Sequence, residues 1–132
     1  MNRFLLLFVL LFVSLGFSFG KGTLIINYSF THIEVGYDHQ TKCFVFIDGE
    51  LIAESSAAPQ SQAVTLKLKV PKGQHHVRVV MMALYEGNWE EHTIENDYST
   101  DAFLDKDLTL GKKNTLSFIF DLDRTNPEIK ID

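Results

Sequence analysis

The sequence has 132 residues, of which 45% are hydrophobic and 22% are charged, and its formal net charge is −5 at pH 7. This size and composition are those of one globular domain with its own hydrophobic core. An acidic surface repels phosphate groups, so we expect no nucleic acid and no anionic membrane surface as a partner. Cationic ligands, metal ions and neutral sugars remain possible ligands.

The first twenty residues have the pattern of a secretory signal peptide. An uninterrupted apolar run over residues 4–13 follows a positively charged start, and Ser18 and Gly20 are the small residues of a cleavage site. The run is shorter than the roughly 20 residues of a spanning helix, which favours cleavage over retention as an anchor. We predict a signal peptide over residues 1–20 and a single secreted or periplasmic (cell-envelope) domain over residues 21–132. No membrane span is expected after cleavage.

Cys43 is the only cysteine, which excludes an intramolecular disulfide and a cysteine-rich metal site. It begins the apolar run 43–47, where the expected role is that of a small buried hydrophobic residue. A reactive thiol or an intermolecular disulfide is the alternative. A secreted domain without a disulfide depends on its core, which favours a packed sandwich.

The amino-terminal half of the domain reads as strands and tight turns. Residues 22–35 alternate with a change of register, which predicts one bent strand or two short ones with a bulge over residues 29–32. The strand over residues 43–47 ends at Asp48 and Gly49. Both residues tolerate positive φ, so we expect a two-residue hairpin with a short returning strand.

The clearest alternation in the sequence lies within residues 63–84. Apolar side chains occupy alternate positions over residues 64–70, Pro71-Lys72-Gly73 interrupts the run, and the alternation resumes over residues 77–81. Period two is typical of half-buried strands, so the pattern predicts a central β-hairpin. Residues 81–85 are apolar at both parities, which predicts burial on both sides.

The pattern is less regular towards the carboxyl terminus. Residues 89–94 have charges on both faces and predict an edge strand. A helical turn capped by Ser99 or Thr100 and a strand over residues 101–108 are both compatible with the segment that follows. A final strand is predicted over residues 116–122, before an extended or loose tail.

These elements amount to about seven to eight short strands without a helical period. Such spacing is typical of an all-β protein, and we predict an antiparallel β-sandwich of the immunoglobulin-like or prealbumin-like kind. The Cys-Trp-Cys framework of true immunoglobulin domains is absent.

Two segments between residues 45 and 79 resemble the PEGA-type module of bacterial surface proteins. In that module a strand ending in Asp-Gly, a loop, and a strand-Pro-x-Gly-x-His-strand hairpin recur. The matching residues here are Val45, Ile47, Asp48, Gly49, Leu68, Val70, Gly73, His76, Val77 and Val79. The resemblance implies a non-catalytic surface or binding domain.

The sequence contains few motifs that indicate a metal site. No pair of histidines has metal-binding spacing, although His76 and His92 could meet across strands. Asp97, Asp101 and Asp105 recur every four residues and offer the hard oxygen ligands that calcium prefers, without the loop of an EF-hand. We predict no metal and no cofactor, with these three aspartates as the candidate ligands if a metal does bind.

An aromatic cluster gives the strongest indication of a binding site. Trp89 follows a Gly-Asn turn, with Tyr85 and Asn88 before it and Tyr98 beyond it. Exposed aromatic rings stack on sugar rings and on partner proteins, while a neighbouring amide takes hydroxyl groups. We predict ligand binding by Trp89, Tyr85, Asn88 and Tyr98. The alternative is that Trp89 closes the bottom of the core.

The expected function is that of a secreted or periplasmic non-catalytic binding module for a carbohydrate or protein partner. No nucleophile elbow or phosphate loop is present, so we do not expect an enzyme. One alternative is a structural component of an envelope or surface assembly, joined through an exposed strand over residues 89–95. A second is a metal-dependent enzyme that uses His76 or His92.

Overall fold

A computed structural model describes residues 20–132, so the predicted signal peptide lies outside the described residues except for Gly20. This part of the chain forms ten strands and one short 3-10 helix. In chain order they are β1 (Lys21–Thr31), β2 (Gln40–Ile47), β3 (Glu50–Glu54), β4 (Ala58–Pro59), β5 (Val64–Pro71), β6 (Gly73–Tyr85), β7 (Asn88–Glu91), the helix (Ile94–Asn96), β8 (Phe103–Leu110), β9 (Lys113–Asp121) and β10 (Glu128–Ile131). None of the helices in residues 20–132 is long and apolar enough to cross a membrane.

The strands form two sheets that enclose one core, which confirms the predicted all-β sandwich. The four-stranded sheet has the order β10-β9-β1-β5. The six-stranded sheet has the order β3-β2-β6-β7, and in it β4 also pairs with β2 and β8 with β6. The pairs are antiparallel except for β1 and β9, which run parallel from Thr23 beside Lys113 to Thr31 beside Asp121.

The central hairpin predicted over residues 63–84 is wrong, although both of its strands exist. β5 pairs with β1 in the four-stranded sheet, whereas β6 pairs with β2 and β8 in the other sheet. The connection between them is Lys72, followed by Gly73 with φ of 107°. Alternation reports that one face of a strand is buried, but it does not identify the neighbouring strand.

Two further expectations concern β1, β2 and β3. The hairpin at Asp48 and Gly49 is confirmed: both residues have positive φ, 52° and 82°, as the tightest hairpin turns require. The bulge predicted over residues 29–32 is wrong, because β1 alternates regularly to Thr31 and ends where His32 adopts φ of 60°. The change of register in the sequence marks the end of the strand.

The segment after β7 also differs from the prediction. The edge strand ends at Glu91, and Thr93 caps the 3-10 helix by accepting a hydrogen bond from Asn96 N at 3.4 Å. Ser99 caps no helix, since its hydroxyl donates to Leu122 O at 2.8 Å. The tail, predicted to be extended or loose, contains the extended strand β10, which pairs with β9.

The core lies between the sheets and is dominated by aliphatic and phenylalanine side chains. Phe118 and Phe120 of β9 stack with ring centroids 5.5 Å apart, and Phe120 is fully buried. Cys43 is also fully buried, as the sequence predicted, and burial raises the pKa of its thiol to about 12.

The face of the six-stranded sheet that points away from this core also carries apolar side chains, beside a charged cluster in which Arg78 contacts Asp105 and Glu91. Val80 is buried there without belonging to the core, because its register places it between Phe44 of β2 and Phe103 of β8. We call this the outer face, and its apolar residues are Phe44, Phe46, Val80, Met82, Leu84, Trp89 and Phe103. Met81 and Ala83 therefore face the core and Met82 and Leu84 the outer face, whereas Tyr85, at the end of the strand, is exposed.

Candidate functional site

A groove of about 570 Å³ opens at one end of the sandwich. Five parts of the chain meet there: the loop between β1 and β2, the residue after β4, the end of β6 with β7, the segment around the 3-10 helix, and the end of β9. The lining residues are His32, Glu34, Tyr37, His39, Gln60, Tyr85, Glu90, His92, Asn96, Asp97, Tyr98, Ser99, Leu122 and Asp123. The volume is in the range of small-ligand sites, about 300–1,000 Å³.

His92 forms the inner part of the groove, and its backbone is fixed from two sides. Its N–H donates to Met81 O, and its carbonyl accepts from Ala102 N, both at 2.9 Å. The ring lies between two aromatic neighbours, with centroids 4.3 Å from Tyr98 and 5.4 Å from Phe30. Phe30 in turn packs on Phe120, so a continuous row of rings joins the groove to the core.

The imidazole of His92 is 98% buried and neutral at pH 7, because burial lowers its pKa to about 4. Its Nδ1 lies 3.4 Å from Nε2 of Gln60. An amide N–H can only donate, so Nδ1 accepts and the ring proton is assigned to Nε2. His92 Nε2 and Gln60 Oε1 have no hydrogen-bond partner in the described protein, so this buried pair retains one donor and one acceptor.

Tyr98 joins the groove wall to a carboxylate. Its hydroxyl donates to Glu90 Oε1 at 2.7 Å, while one side of its ring is covered by His92. Burial raises the pKa of the Tyr98 hydroxyl, and Glu90 raises it further. The phenol therefore stays protonated and holds the Glu90 side chain beside the ring.

The opposite wall comes from the loop between β1 and β2. Gln60 N donates to His39 O at 2.9 Å, and the Asp38 carboxylate accepts from both Ser61 N and the Ser61 hydroxyl, at 2.9 and 2.6 Å. These hydrogen bonds position Tyr37, which remains 60% exposed. The loop thus presents an aromatic ring to solvent from a tethered backbone.

Carboxylates and imidazoles are the titratable groups of the groove, apart from its tyrosines. Glu34, Glu90, Asp97 and Asp123 line it, and none of its fourteen lining residues is a lysine or an arginine. Carboxylates gathered in a concave, partly apolar site concentrate a negative potential. The groove is therefore suited to hydroxyl donors and to cations, and is unsuited to anions.

Three possible metal ligands meet at the rim of the groove. Within residues 20–132, His32, Asp121 and Asp123 alone bring three such groups within 4.8 Å of one another. They already interact: His32 Nδ1 lies 2.7 Å from Asp121 Oδ1, which also accepts from Asp123 N at 3.0 Å, and Arg124 Nε lies 3.7 Å from Asp121 Oδ2. The hydrogen bond to Asp121 raises the pKa of His32. We interpret this group as an ion-pair cluster that ties the ends of β1 and β9 together.

Only two of the four residues predicted to bind ligand line the groove. Tyr85 and Tyr98 line the groove, as the cluster hypothesis requires. Trp89 and Asn88 do not. Trp89 lies on the outer face opposite Leu84, with Lys42 Nζ 4.7 Å from the centre of its ring, and Asn88 is exposed at the start of β7. Successive strand residues point to opposite sides, so Trp89 and Glu90 of β7 belong to different surfaces. Trp89 also does not close the bottom of the core.

The candidate metal ligands from the sequence are separated as well. Asp101 Oδ1 accepts from Ile94 N at 2.9 Å, Asp105 bonds to Arg78 and His76 on β6, and Asp97 ends the 3-10 helix in the left-handed region. His76 also lies 2.8 Å from Asp107. His92 pairs beside Met81, five positions further along β6, so the two histidines are roughly 16 Å apart along the strand.

Sequence reasoning missed most of the groove. Tyr37 and His39 lie in a segment that had only the composition of a loop, and Glu34 and Gln60 had no pattern at all. His92 and Glu90 are two positions apart and therefore point to the same side of an extended segment, and both line the groove. This spacing was the one signal that could have placed His92 in the site. The remaining residues are brought together by loops, whose paths the periodicity does not specify.

Comparison with known proteins gives no family assignment. No protein-family model and no curated protein matches the chain. Among solved structures, similar segments occur in a non-hemolytic pneumolysin from Streptococcus pneumoniae (14% identity, TM-score 0.42, 85% of this chain), in the human-specific toxin intermedilysin (13%, 0.44, 86%) and in the cytotoxin suilysin from Streptococcus suis (11%, 0.39, 86%). This chain covers 23% of the length of each of them. Similarity at this level carries no functional argument.

Proposed function

We propose that this domain is a secreted or periplasmic, non-catalytic module that binds carbohydrate in the groove at the end of the sandwich. The observation that carries the proposal is the combination of tyrosine rings with hydrogen-bonding side chains in one concavity. Tyr37, Tyr85 and Tyr98 supply apolar ring faces, and Glu90, Asn96 and Asp97 supply acceptors and donors for hydroxyl groups. A non-catalytic role agrees with what the PEGA-type resemblance implies.

The exposure of the rings supports a ligand that stacks from solvent. The side chains of Tyr37 and Tyr85 are 60% and 53% exposed, although each is large and apolar. Burying two such rings under a sugar would remove apolar area from water on both partners, at about 25 cal/mol per Å². The backbone hydrogen bonds on each wall would limit the ordering cost of binding.

Binding is best tested by thermal unfolding and calorimetric titration of residues 21–132 with a panel of oligosaccharides. A ligand specific for the folded state stabilises it by about 2.7 kcal/mol at a hundredfold excess over its dissociation constant. We expect Tyr85→Ala to weaken binding at least tenfold and Trp89→Ala, on the other surface, to leave it within about twofold. The proposal fails if no oligosaccharide shifts the midpoint, or if only Trp89→Ala abolishes binding.

The second candidate is a structural role in an envelope or surface assembly, and the outer face favours it. Trp89, Phe44 and Phe103 are all partly exposed on one side of the six-stranded sheet. Aromatic residues of this kind are frequent at the centres of protein interfaces. Trp89→Ala would then reduce association measured by analytical ultracentrifugation or by capture of an envelope partner, while Tyr85→Ala would not.

A further inference from the structure

The charge and the unpartnered buried groups of the groove indicate the class of its ligand. Within the proposed carbohydrate-binding function, on which this inference rests, we propose that the groove recognises an amino sugar that carries a free, protonated amine. The ammonium group would be held by carboxylates and tyrosine rings, while the sugar ring stacks on the exposed tyrosines.

The first argument is the sign of the charges. Four carboxylates and no lysine or arginine line the groove, so a neutral sugar would leave their negative potential uncompensated. The imidazole of His92 adds no positive charge at pH 7. His32, whose pKa is raised, is already paired with Asp121, a carboxylate outside these four. An ammonium group on the ligand complements this arrangement, whereas uronic acids and sulfated sugars would be repelled.

The second argument is the pairing of a carboxylate with an aromatic ring. The Tyr98 hydroxyl holds Glu90 beside the phenol ring, and Tyr85 lines the same groove at the end of β6. A cation near a tyrosine face gains roughly 0.5–2 kcal/mol, more when water is excluded. The groove therefore combines two independent features that favour an ammonium group over a hydroxyl.

The third argument is the orphaned acceptor of Gln60. This side chain is 98% buried, lines the groove, and has an Oε1 atom without a hydrogen-bond partner in the described protein. A buried carbonyl without a partner costs about 1–3 kcal/mol. An ammonium group has three N–H donors and no acceptor, so it matches the carboxylates and the Gln60 oxygen, whereas the unpartnered His92 Nε2–H would require a hydroxyl oxygen of the sugar.

The test compares three probes at a mildly acidic pH where the amine is protonated: a glucosamine oligomer, the matched N-acetylglucosamine oligomer, and spermidine, which has ammonium groups without a sugar ring. We expect the glucosamine oligomer to bind at least tenfold more tightly than either of the others. Equal binding of both oligomers would overturn the amine inference and leave the carbohydrate function standing. Equal binding of spermidine would overturn the requirement for a sugar. Binding of none of the three would overturn the amine inference, and the carbohydrate function would then be decided by the oligosaccharide panel.

Two isosteric variants test the carboxylates. Glu90→Gln retains an oxygen that accepts from the Tyr98 hydroxyl, and Asp97→Asn is tolerated at φ of 69°. Together they should weaken binding of the glucosamine oligomer about tenfold and change that of the N-acetylated oligomer less than about twofold. Glu50→Gln on β3, an exposed carboxylate outside the groove, is the matched control and should change neither. An equal loss for both oligomers in the double variant would contradict the assignment.

Discussion

The imidazole of His92 packs on the ring of Tyr98 with the centroids 4.3 Å apart and the planes inclined by 30°. This contact joins the wall of the groove to the row of rings that leads through Phe30 to the core. Because this row of rings belongs to both the groove and the core, protonation of His92 should affect ligand binding and the free energy of unfolding.

We expect the domain to lose stability as the pH falls from about 6.5 to about 4. The pKa of His92 is 6.5 in the unfolded chain and is lowered by burial to about 4 in the folded one, so the unfolded state binds more protons across this window. The full loss is about 3 kcal/mol. Denaturant unfolding at several pH values measures it.

His92→Phe is the control for that window, because it keeps a ring against Tyr98 and Phe30 but does not titrate. Asp48 and Asp121 have lowered pKa values and lose their contribution only below the ordinary value of 3.8. The same slope between pH 4 and 6.5 in both proteins would show that another group is responsible.

The partly exposed ion pair of His75 and Asp48 should change stability with pH in the opposite direction. Asp48 Oδ2 lies 2.6 Å from Nδ1 of His75, and this hydrogen bond raises the pKa of His75. The pair stabilises the fold fully below pH 6.5, and its contribution is lost as the pH rises through the folded pKa of His75. Asp48→Asn should therefore destabilise the protein in mildly acidic solution, by less than about 1 kcal/mol because water screens the pair, and this effect should diminish as the pH rises through the folded pKa of His75.

The asparagine in that variant accommodates positive φ and still accepts from His76 N, which lies 2.9 Å from Asp48 Oδ1. The hairpin turn is therefore retained. Chemical unfolding below and above the folded pKa of His75 gives the comparison, and an unfolding free-energy difference independent of pH would assign the effect to the turn and not to the ion pair.

A close approach of two backbones should make Gly22 irreplaceable. A Cβ atom at Gly22 would lie 2.0 Å from Gly111 O, which is backbone and cannot rotate away. Gly22→Ala should lower the free energy of unfolding by about 1–3 kcal/mol. Gly111→Ala is the matched control, since its Cβ would meet no atom within 4 Å, and it should stay within about 0.5 kcal/mol of the original chain. Equal melting temperatures for the two variants would refute this reading of the contact.

Cys43 should be unreactive in the folded protein. Its side chain is fully buried and its thiol has a pKa of about 12, so neither access nor thiolate is available at neutral pH. We expect labelling by a chromogenic disulfide reagent to be slow without denaturant and complete within the dead time after unfolding. Because labelling requires opening, its native rate also reports local stability. Stoichiometric reaction in buffer alone would contradict this.

The fold class could be predicted from the sequence because apolar and polar residues alternate along each half-buried strand. Each core-facing position of β1 and β2 alternates with a partly exposed one, and Asp48-Gly49 has the backbone freedom that its turn uses. The sequence did not predict which strands pair with each other. β5 and β6 have the pattern of a hairpin in the sequence but enter different sheets, since an alternating strand is equally suited to any neighbour with a buried face.

The candidate binding site could be predicted from the sequence only in part, because the sequence does not show which loops meet. The sequence by itself determined that this chain forms an all-β sandwich with a buried Cys43 and with aromatic residues near residues 85–98. Only the tertiary structure decided that Tyr85 and Tyr98 share a groove with Tyr37, and that Trp89 lies on a different surface. The physical reason is that strand parity separates neighbours such as Trp89 and Glu90, whereas loop hydrogen bonds bring together residues as distant as His39 and Gln60.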